Sequence, residues 1–236
     1  MYIIKYKKEH LFETSVAPPS SNDDTEWYDA MGNKLDKKRI CQAIQICLSN
    51  LASMFPSLYE VIRNVDVKLV NHAGLNTMAT DGSSIMISPI FVDYIIKTFK
   101  SKCLLLIQYV LVHEIFHILY NHCYEERVRS SKYPDHTIAN MAQDFQINYD
   151  IENLLVDNNG NNLYKGCTNA LKGCYDDDYG MEGWEKLYDR VLSEKTPIST
   201  RLFQETSEEW KKGFLDGFLD ALDELRKDNL IESCQI

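Results

Sequence analysis

Apolar side chains recur at helical spacing along much of the chain. Between Lys37 and Met54 they predict an amphipathic helix, which Pro56 ends. The apolar positions of this helix are Ile40, Ala43, Ile44, Cys47, Leu48 and Leu51. The same spacing predicts further helices over residues 58–63, 90–100, 102–121, 137–155, 184–192 and 207–226. The helix over 102–121 is apolar on most of its circumference, which indicates burial.

Strand patterns are fewer and shorter. Residues 65–70 alternate between apolar and polar, residues 84–88 follow the turn signal Asp81-Gly82, and residues 1–10 also favour a strand. The stretches 14–36 and 156–183 are rich in turn-forming residues, and they predict an irregular arm and a long loop. The expected fold class is α+β, mainly helical with a small mixed β-sheet, in which the helices over 102–121 and 137–155 pack together.

Composition and charge narrow the possible partners. The chain is 44% hydrophobic and 25% charged, which is typical of a globular protein. Its net charge of −10 repels phosphate backbones, so we expect no nucleic-acid partner. Seven cysteines, an odd number without a CxxC pair, indicate a reducing compartment. The N-terminus has no signal-peptide pattern, and the longest apolar stretch contains several polar side chains. We therefore expect a cytoplasmic protein with no membrane association.

The predicted helix over 102–121 contains the segment His113-Glu114-Ile115-Phe116-His117. Two histidines four residues apart project from the same face of a helix, so both imidazoles can reach one Zn²⁺ at about 2.0–2.1 Å. Glu114 follows the first histidine, where it can accept a proton from water and return it to a leaving amine. The plainer alternative is a pair of core histidines bonded to backbone, with Glu114 at the surface.

A catalytic zinc site usually has a third protein ligand. The spacing HExxHxxGxxH is absent, because Tyr120 and Cys123 occupy the positions of its glycine and its last histidine. His122 would point away from the metal if the helix continued. The helix over 137–155 offers Asp144, Asp150 and Glu152 as alternatives. We favour Asp144 because its neighbours are apolar, whereas the other two lie near the helix end and are more easily solvated.

Four stretches in order resemble a metallopeptidase-like domain that precedes a von Willebrand A-like domain in many bacterial and phage proteins. They are residues 77–82 with 87–89, residues 112–117 with 121–122, residues 140–144 with 148, and residues 179–188. The resemblance implies a zincin-like fold, with His113, His117 and Asp144 as zinc ligands and Glu114 as the acid/base. By analogy with zincins, strand 84–88 is the sheet edge where an extended peptide pairs. The region after residue 192 is too short for the von Willebrand A-like domain, which favours a small stand-alone, phage-related version.

These observations divide the chain into an N-terminal arm (1–36), a zincin-like domain (37–195) and a C-terminal helical extension (196–236). The predicted function is hydrolysis of peptide bonds in a protein or peptide substrate, with Zn²⁺ as the cofactor. Two alternatives stay open. One is a catalytically silent zinc-binding structural or virion component, and the other is a protein-binding module that uses the C-terminal helix. If the protein is phage-encoded, the host cytoplasm or the virion would be its location.

Two details of the predicted site remain open. Tyr109, Tyr120 or Tyr149 would assist the zinc in stabilising the oxyanion, with no basis for choosing among them. The loop over 156–183 would cover the cleft as a lid, and its acidic run at 176–178 would favour a basic or unfolded substrate segment.

Overall fold

The computed structural model describes residues 2–4, 26–29, 31–72, 75–123, 132–157 and 159–193. The predicted helix over 207–226, and with it the C-terminal extension, lies outside the described residues. The chain divides into two compact units, Met1–Ile115 and Phe116–Ile236, which are described separately below. The predicted three-part division at residues 36 and 195 stays a prediction.

The first unit contains the small mixed sheet that was expected. Its strands are β1 (Tyr2–Ile4), β2 (Asp66–Leu69), β3 (Met78–Thr80) and β4 (Ser84–Ile87). Over the described residues the order is β1-β2-β4-β3, with β2 parallel to β4 and the other two pairs antiparallel. The mixed sheet and the predominance of helices among the described residues confirm the α+β class, while a zincin-like fold stays a prediction.

The prediction that the strand over 84–88 forms a sheet edge is wrong. β4 pairs with β2 on one side and with β3 on the other, so both rows of its backbone groups are used within the sheet. All four of its residues are buried. The hairpin between β3 and β4 turns at Gly82, whose φ is 88°, and the side chain of Asp81 accepts hydrogen bonds from the N–H groups of Ser83 and Ser84.

The helices of the first unit follow the apolar stripes closely. Helix α1 spans Lys37–Met54, and the side chain of Asp36 caps its N-terminus by accepting from the N–H of Arg39. The stripe predicted from the sequence is buried along its whole length. Two further helices are α2 (Pro56–Ile62) and α3 (Pro89–Phe99), and Ser88 caps the second of them.

A turn of 3-10 helix (Lys100–Lys102) joins α3 to helix α4 (Cys103–Leu119). By length and hydropathy, the stretch Pro89–Leu119 is the one part of the described chain that could cross a membrane, and 61% of its most apolar window is buried within the structure. A mostly buried core helix meets the same criteria of length and composition.

The second unit is built around helix α5 (His136–Asn153), whose N-terminus is capped by the side chain of Asp135. Three shorter helices follow: α6 (Cys167–Leu171), α7 (Asp177–Gly180) and α8 (Trp184–Ser193). Helices α6 and α7 lie within residues 156–183, so the prediction of a long loop there is corrected. The core between α5 and α8 contains Phe145, Trp184, Leu187 and Tyr188. Aromatic side chains therefore fix α8 against the helix that carries Asp144.

Candidate metal centre

Three side chains capable of binding a metal converge at the C-terminal end of α4. His113 and His117 lie one turn apart on this uninterrupted helix, and Asp144 comes from α5. One possible ligand atom from each residue lies within 4.8 Å of the other two. His117 is buried, while His113 and Asp144 are half-buried. The structure thus brings together the three residues that the sequence proposed as ligands.

His117 and Asp144 lie close enough for both side chains to bind one ion. His117 Nε2 lies 3.1 Å from Asp144 Oδ1. Two ligands that each bind one zinc ion at about 2.0–2.2 Å in tetrahedral geometry stand roughly 3.3 Å apart. The second carboxylate oxygen of Asp144 accepts a hydrogen bond from Asn140 Nδ2 at 3.4 Å. Imidazole and carboxylate are the donor types that zinc takes in catalytic sites, so these residues fit the ion.

The other two carboxylates considered on α5 have different partners. Asp150 accepts a hydrogen bond of 2.7 Å from the hydroxyl of Tyr120. Glu152 is only 5% exposed, and its two oxygens accept from the backbone N–H groups of Gly166 and Thr168, both at 2.7 Å. The expectation that Glu152 is readily solvated is therefore wrong. The segment that leads into α6 folds back over the end of α5 and uses this carboxylate as a cap.

Glu114 lies inside the protein. Its side chain is 6% exposed, although a glutamate on a helix is usually solvated. The alternative interpretation, with two core histidines and Glu114 at the surface, required this glutamate to be exposed. A buried carboxylate adjacent in sequence to a candidate ligand fits a role in proton transfer better than a role in solubility.

His122 is the residue that the sequence interpretation missed. We expected it to point away from the candidate ligands, but α4 ends at Leu119 and Asn121 adopts a left-handed conformation with a φ of 54°. The N–H of His122 donates to the carbonyl of His117 at 2.9 Å, and the N–H of Asn121 donates to the carbonyl of Ile118 at 3.1 Å. This pair of bonds is the Schellman motif. It places His122 Nδ1 at 3.2 Å from His117 Nδ1.

The three tyrosines named from the sequence differ in their surroundings. Tyr109 is buried in the first unit, and Tyr149 lies against Gly180 in the second. Burial raises the pKa of Tyr120, and the neighbouring carboxylate of Asp150 raises it further. The phenol of Tyr120 therefore remains a hydrogen-bond donor at neutral pH, and Asp150 is its partner.

Comparison with known families identifies one match. A family model described as "putative metallopeptidase domain" matches residues 36–217, which is well over half of the chain. No curated protein and no solved structure matches the chain.

Proposed function

The chain belongs to the family described as putative metallopeptidase domains, and we propose that it is a zinc-dependent peptidase. His113, His117 and Asp144 would hold the ion, and Glu114 would transfer protons. The observation that carries this proposal is the convergence of two histidines and one aspartate, from two helices, within 4.8 Å. The finer resemblance, to the zincin-like kind of domain that precedes a von Willebrand A-like domain in other proteins, stays a prediction.

The number and type of the ligands favour catalysis over a structural role. Structural zinc is usually closed by four protein ligands, most often cysteine and histidine. The group found among the described residues has three members and includes a carboxylate. Three ligands of this kind leave one coordination position for water or substrate, as in catalytic zinc sites.

Each residue has a separable task in the proposed reaction. A bound zinc ion supplies Lewis acidity, which polarises a carbonyl group and lowers the pKa of water. The Glu114 carboxylate accepts the proton from the attacking water and then returns it to the nitrogen of the leaving amine. The two histidines and Asp144 would hold the zinc ion beside α4. The hydrogen bond from Asn140 orients the carboxylate of Asp144. The buried position of Glu114 limits competing hydrogen bonds from bulk water.

Glu114→Gln tests this assignment. The amide keeps the size of the side chain but cannot accept the proton, so we expect turnover of a peptide library to fall by roughly 10²–10⁴-fold. Zinc content, measured by elemental analysis, should stay near one ion per chain. Glu60→Gln is the matched control, because it makes the same chemical change at an exposed position of helix α2.

The results separate peptidase from silent scaffold. A peptidase loses turnover in the glutamine variant, and wild-type cleavage stops when a chelator removes the metal. A protein that binds zinc but cleaves nothing in a proteome-derived library, and that loses no other property in Glu114→Gln, would contradict the enzymatic proposal. Absence of stoichiometric transition metal from the folded wild-type protein would contradict the metal site itself.

A further inference from the structure

We propose that His122 is a positioning residue, which holds the imidazole of His117 in the tautomer and orientation required for metal binding. This inference rests on the proposed function, because it assigns His117 to the metal. It concerns a residue outside the set of three ligands and the candidate acid/base. The observation behind it is the contact of 3.2 Å between the Nδ1 atoms of His117 and His122.

The two nitrogens of His117 face different partners. Nε2 lies beside Asp144 Oδ1 at 3.1 Å, on the side of the ligand group, and Nδ1 lies beside His122. A neutral imidazole that gives Nε2 to a metal carries its proton on Nδ1. With a metal on Nε2, His117 Nδ1–H would donate to Nδ1 of a neutral His122, whose own proton would then be on its buried Nε2. In the metal-bound state, one hydrogen bond would thus fix the tautomers of both rings.

His122 itself is held firmly enough to orient another ring. It is 4% exposed. Its ring meets the rings of Trp184 and Tyr120 edge to face, at centroid distances of 6.0 and 5.6 Å, and meets His117 at 5.2 Å. Trp184 is in turn fixed by its backbone N–H, which donates to the side chain of Gln146 at 3.0 Å.

The backbone adds a second constraint. The Schellman turn joins His122 to His117 through the main chain, and the imidazole contact joins the same two residues through their side chains. In this motif the residues that meet are more often apolar. A pair of histidines at these positions, one of them a candidate ligand, indicates that the turn serves the site as well as the helix end.

Two substitutions of nearly equal shape test the hydrogen bond. In His122→Asn the amide oxygen takes the place of Nδ1 and can still accept from His117, whereas His122→Leu offers no acceptor. Outer partners of metal-bound histidines typically contribute 10–100-fold in affinity. We expect His122→Leu to bind Zn²⁺ roughly 10–100-fold more weakly than wild type and His122→Asn to stay within about threefold of it.

The measurement is the zinc dissociation constant of the full chain, obtained by competition with a chromophoric chelator. The visible spectrum of the Co²⁺-loaded protein gives a second readout of ligand geometry. His136→Asn controls for adventitious binding, because His136 is exposed at the start of α5. Melting temperatures in excess chelator report the effect of each change on packing alone.

A second pair of variants leaves the His122 side chain in place. Asn121→Gly retains the left-handed conformation, whereas Asn121→Val cannot readily adopt a positive φ and should displace His122. Weaker zinc binding by the valine variant but not by the glycine variant supports the proposal even if His122→Leu does not fold.

Equal zinc affinity in His122→Leu and wild type would overturn the positioning role and leave the peptidase proposal standing. Equal losses in His122→Asn and His122→Leu would also overturn it, because they would show that His122 acts only by packing. A wild-type chain that binds no zinc would instead refute the metal site, and the positioning role with it.

Discussion

Amide substitution of two carboxylates on α5, eight residues apart, should affect different properties, zinc affinity in one case and stability in the other. Asp144 contacts His117, and Glu152 caps the backbone that leads into α6. We predict that Asp144→Asn weakens zinc binding with little effect on the fold. Glu152→Gln should destabilise the fold with little effect on zinc.

The expected loss in Glu152→Gln follows from its two hydrogen bonds. Each carboxylate oxygen accepts one backbone N–H at 2.7 Å, from Gly166 and from Thr168. A glutamine has one carbonyl oxygen, so one buried N–H would face the amide NH₂ group and lose its acceptor. A charged hydrogen bond contributes about 1.5–3 kcal/mol, and an unsatisfied buried donor costs about 1–3 kcal/mol. We expect a loss of roughly 3 kcal/mol, or a fall in Tm on the order of 10 °C for a protein of this size.

Asp144→Asn should behave differently because this side chain is 20% exposed and its contacts are longer, at 3.1 and 3.4 Å. Measured in chelator, the free energy of unfolding should change by no more than about 1 kcal/mol. Loss of a charged ligand should lower zinc affinity by more than the roughly 10–100-fold expected for an outer partner.

The assay combines thermal melting in excess chelator with chelator competition for Zn²⁺, on the same three proteins. A Glu152→Gln protein that remains folded but loses zinc would refute the choice of Asp144 over Glu152. Unchanged zinc affinity in Asp144→Asn would refute Asp144 as a ligand, whatever the effect of Glu152→Gln.

Two further predictions concern packing and charge in the second unit. Gly180→Ala should lower stability by roughly 2–3 kcal/mol, because the new Cβ would lie 2.1 Å from Tyr149 Cβ, an atom that cannot rotate away. Gly183→Ser, whose new Cβ would lie 3.7 Å from its nearest neighbour, should cost little when melted in parallel. Burial raises the pKa of Asp150, so ionisation of this carboxyl opposes folding and stability falls as pH rises through its folded-state pKa. Asp150→Asn can still accept from Tyr120, and its Tm should exceed that of wild type at pH 7 but not at pH 3; an equal difference at both pH values would contradict this reasoning.

The sequence predicted the helices well where a single apolar stripe determined them. Helix α1 begins and ends where its stripe and Pro56 indicated. Pairing in the sheet was harder to predict, because a strand pattern states which residues are extended but does not identify their partners. The pattern of Ser84–Ile87 is compatible with either an edge strand or a central strand. Its position is central because the short strand β3 pairs with it.

The sequence anticipated which residues lie close together where local burial controlled their positions, and it failed where a turn did. Asp144 was chosen because its neighbours are apolar, and it does lie beside His117. Glu152 was judged by its place near a helix end, yet the returning chain buries it. His122 was placed by extending the helix past Leu119, although Asn121 is one of the few residues that readily adopt a left-handed conformation.

The spacing of His117, Asn121 and His122 at the end of α4 carries structural information that the two candidate ligand histidines alone do not. In a Schellman turn the residue after the left-handed position returns to the residue five places earlier, so an asparagine at 121 directs position 122 to His117. If that residue can accept a hydrogen bond, the turn that ends the helix also orients the candidate ligand. A chain with the same histidines on its helix but no left-handed residue four places after the second would keep the ligands and lose this support. The asparagine and the histidine that follow α4 therefore belong to the proposed site as much as to the helix end.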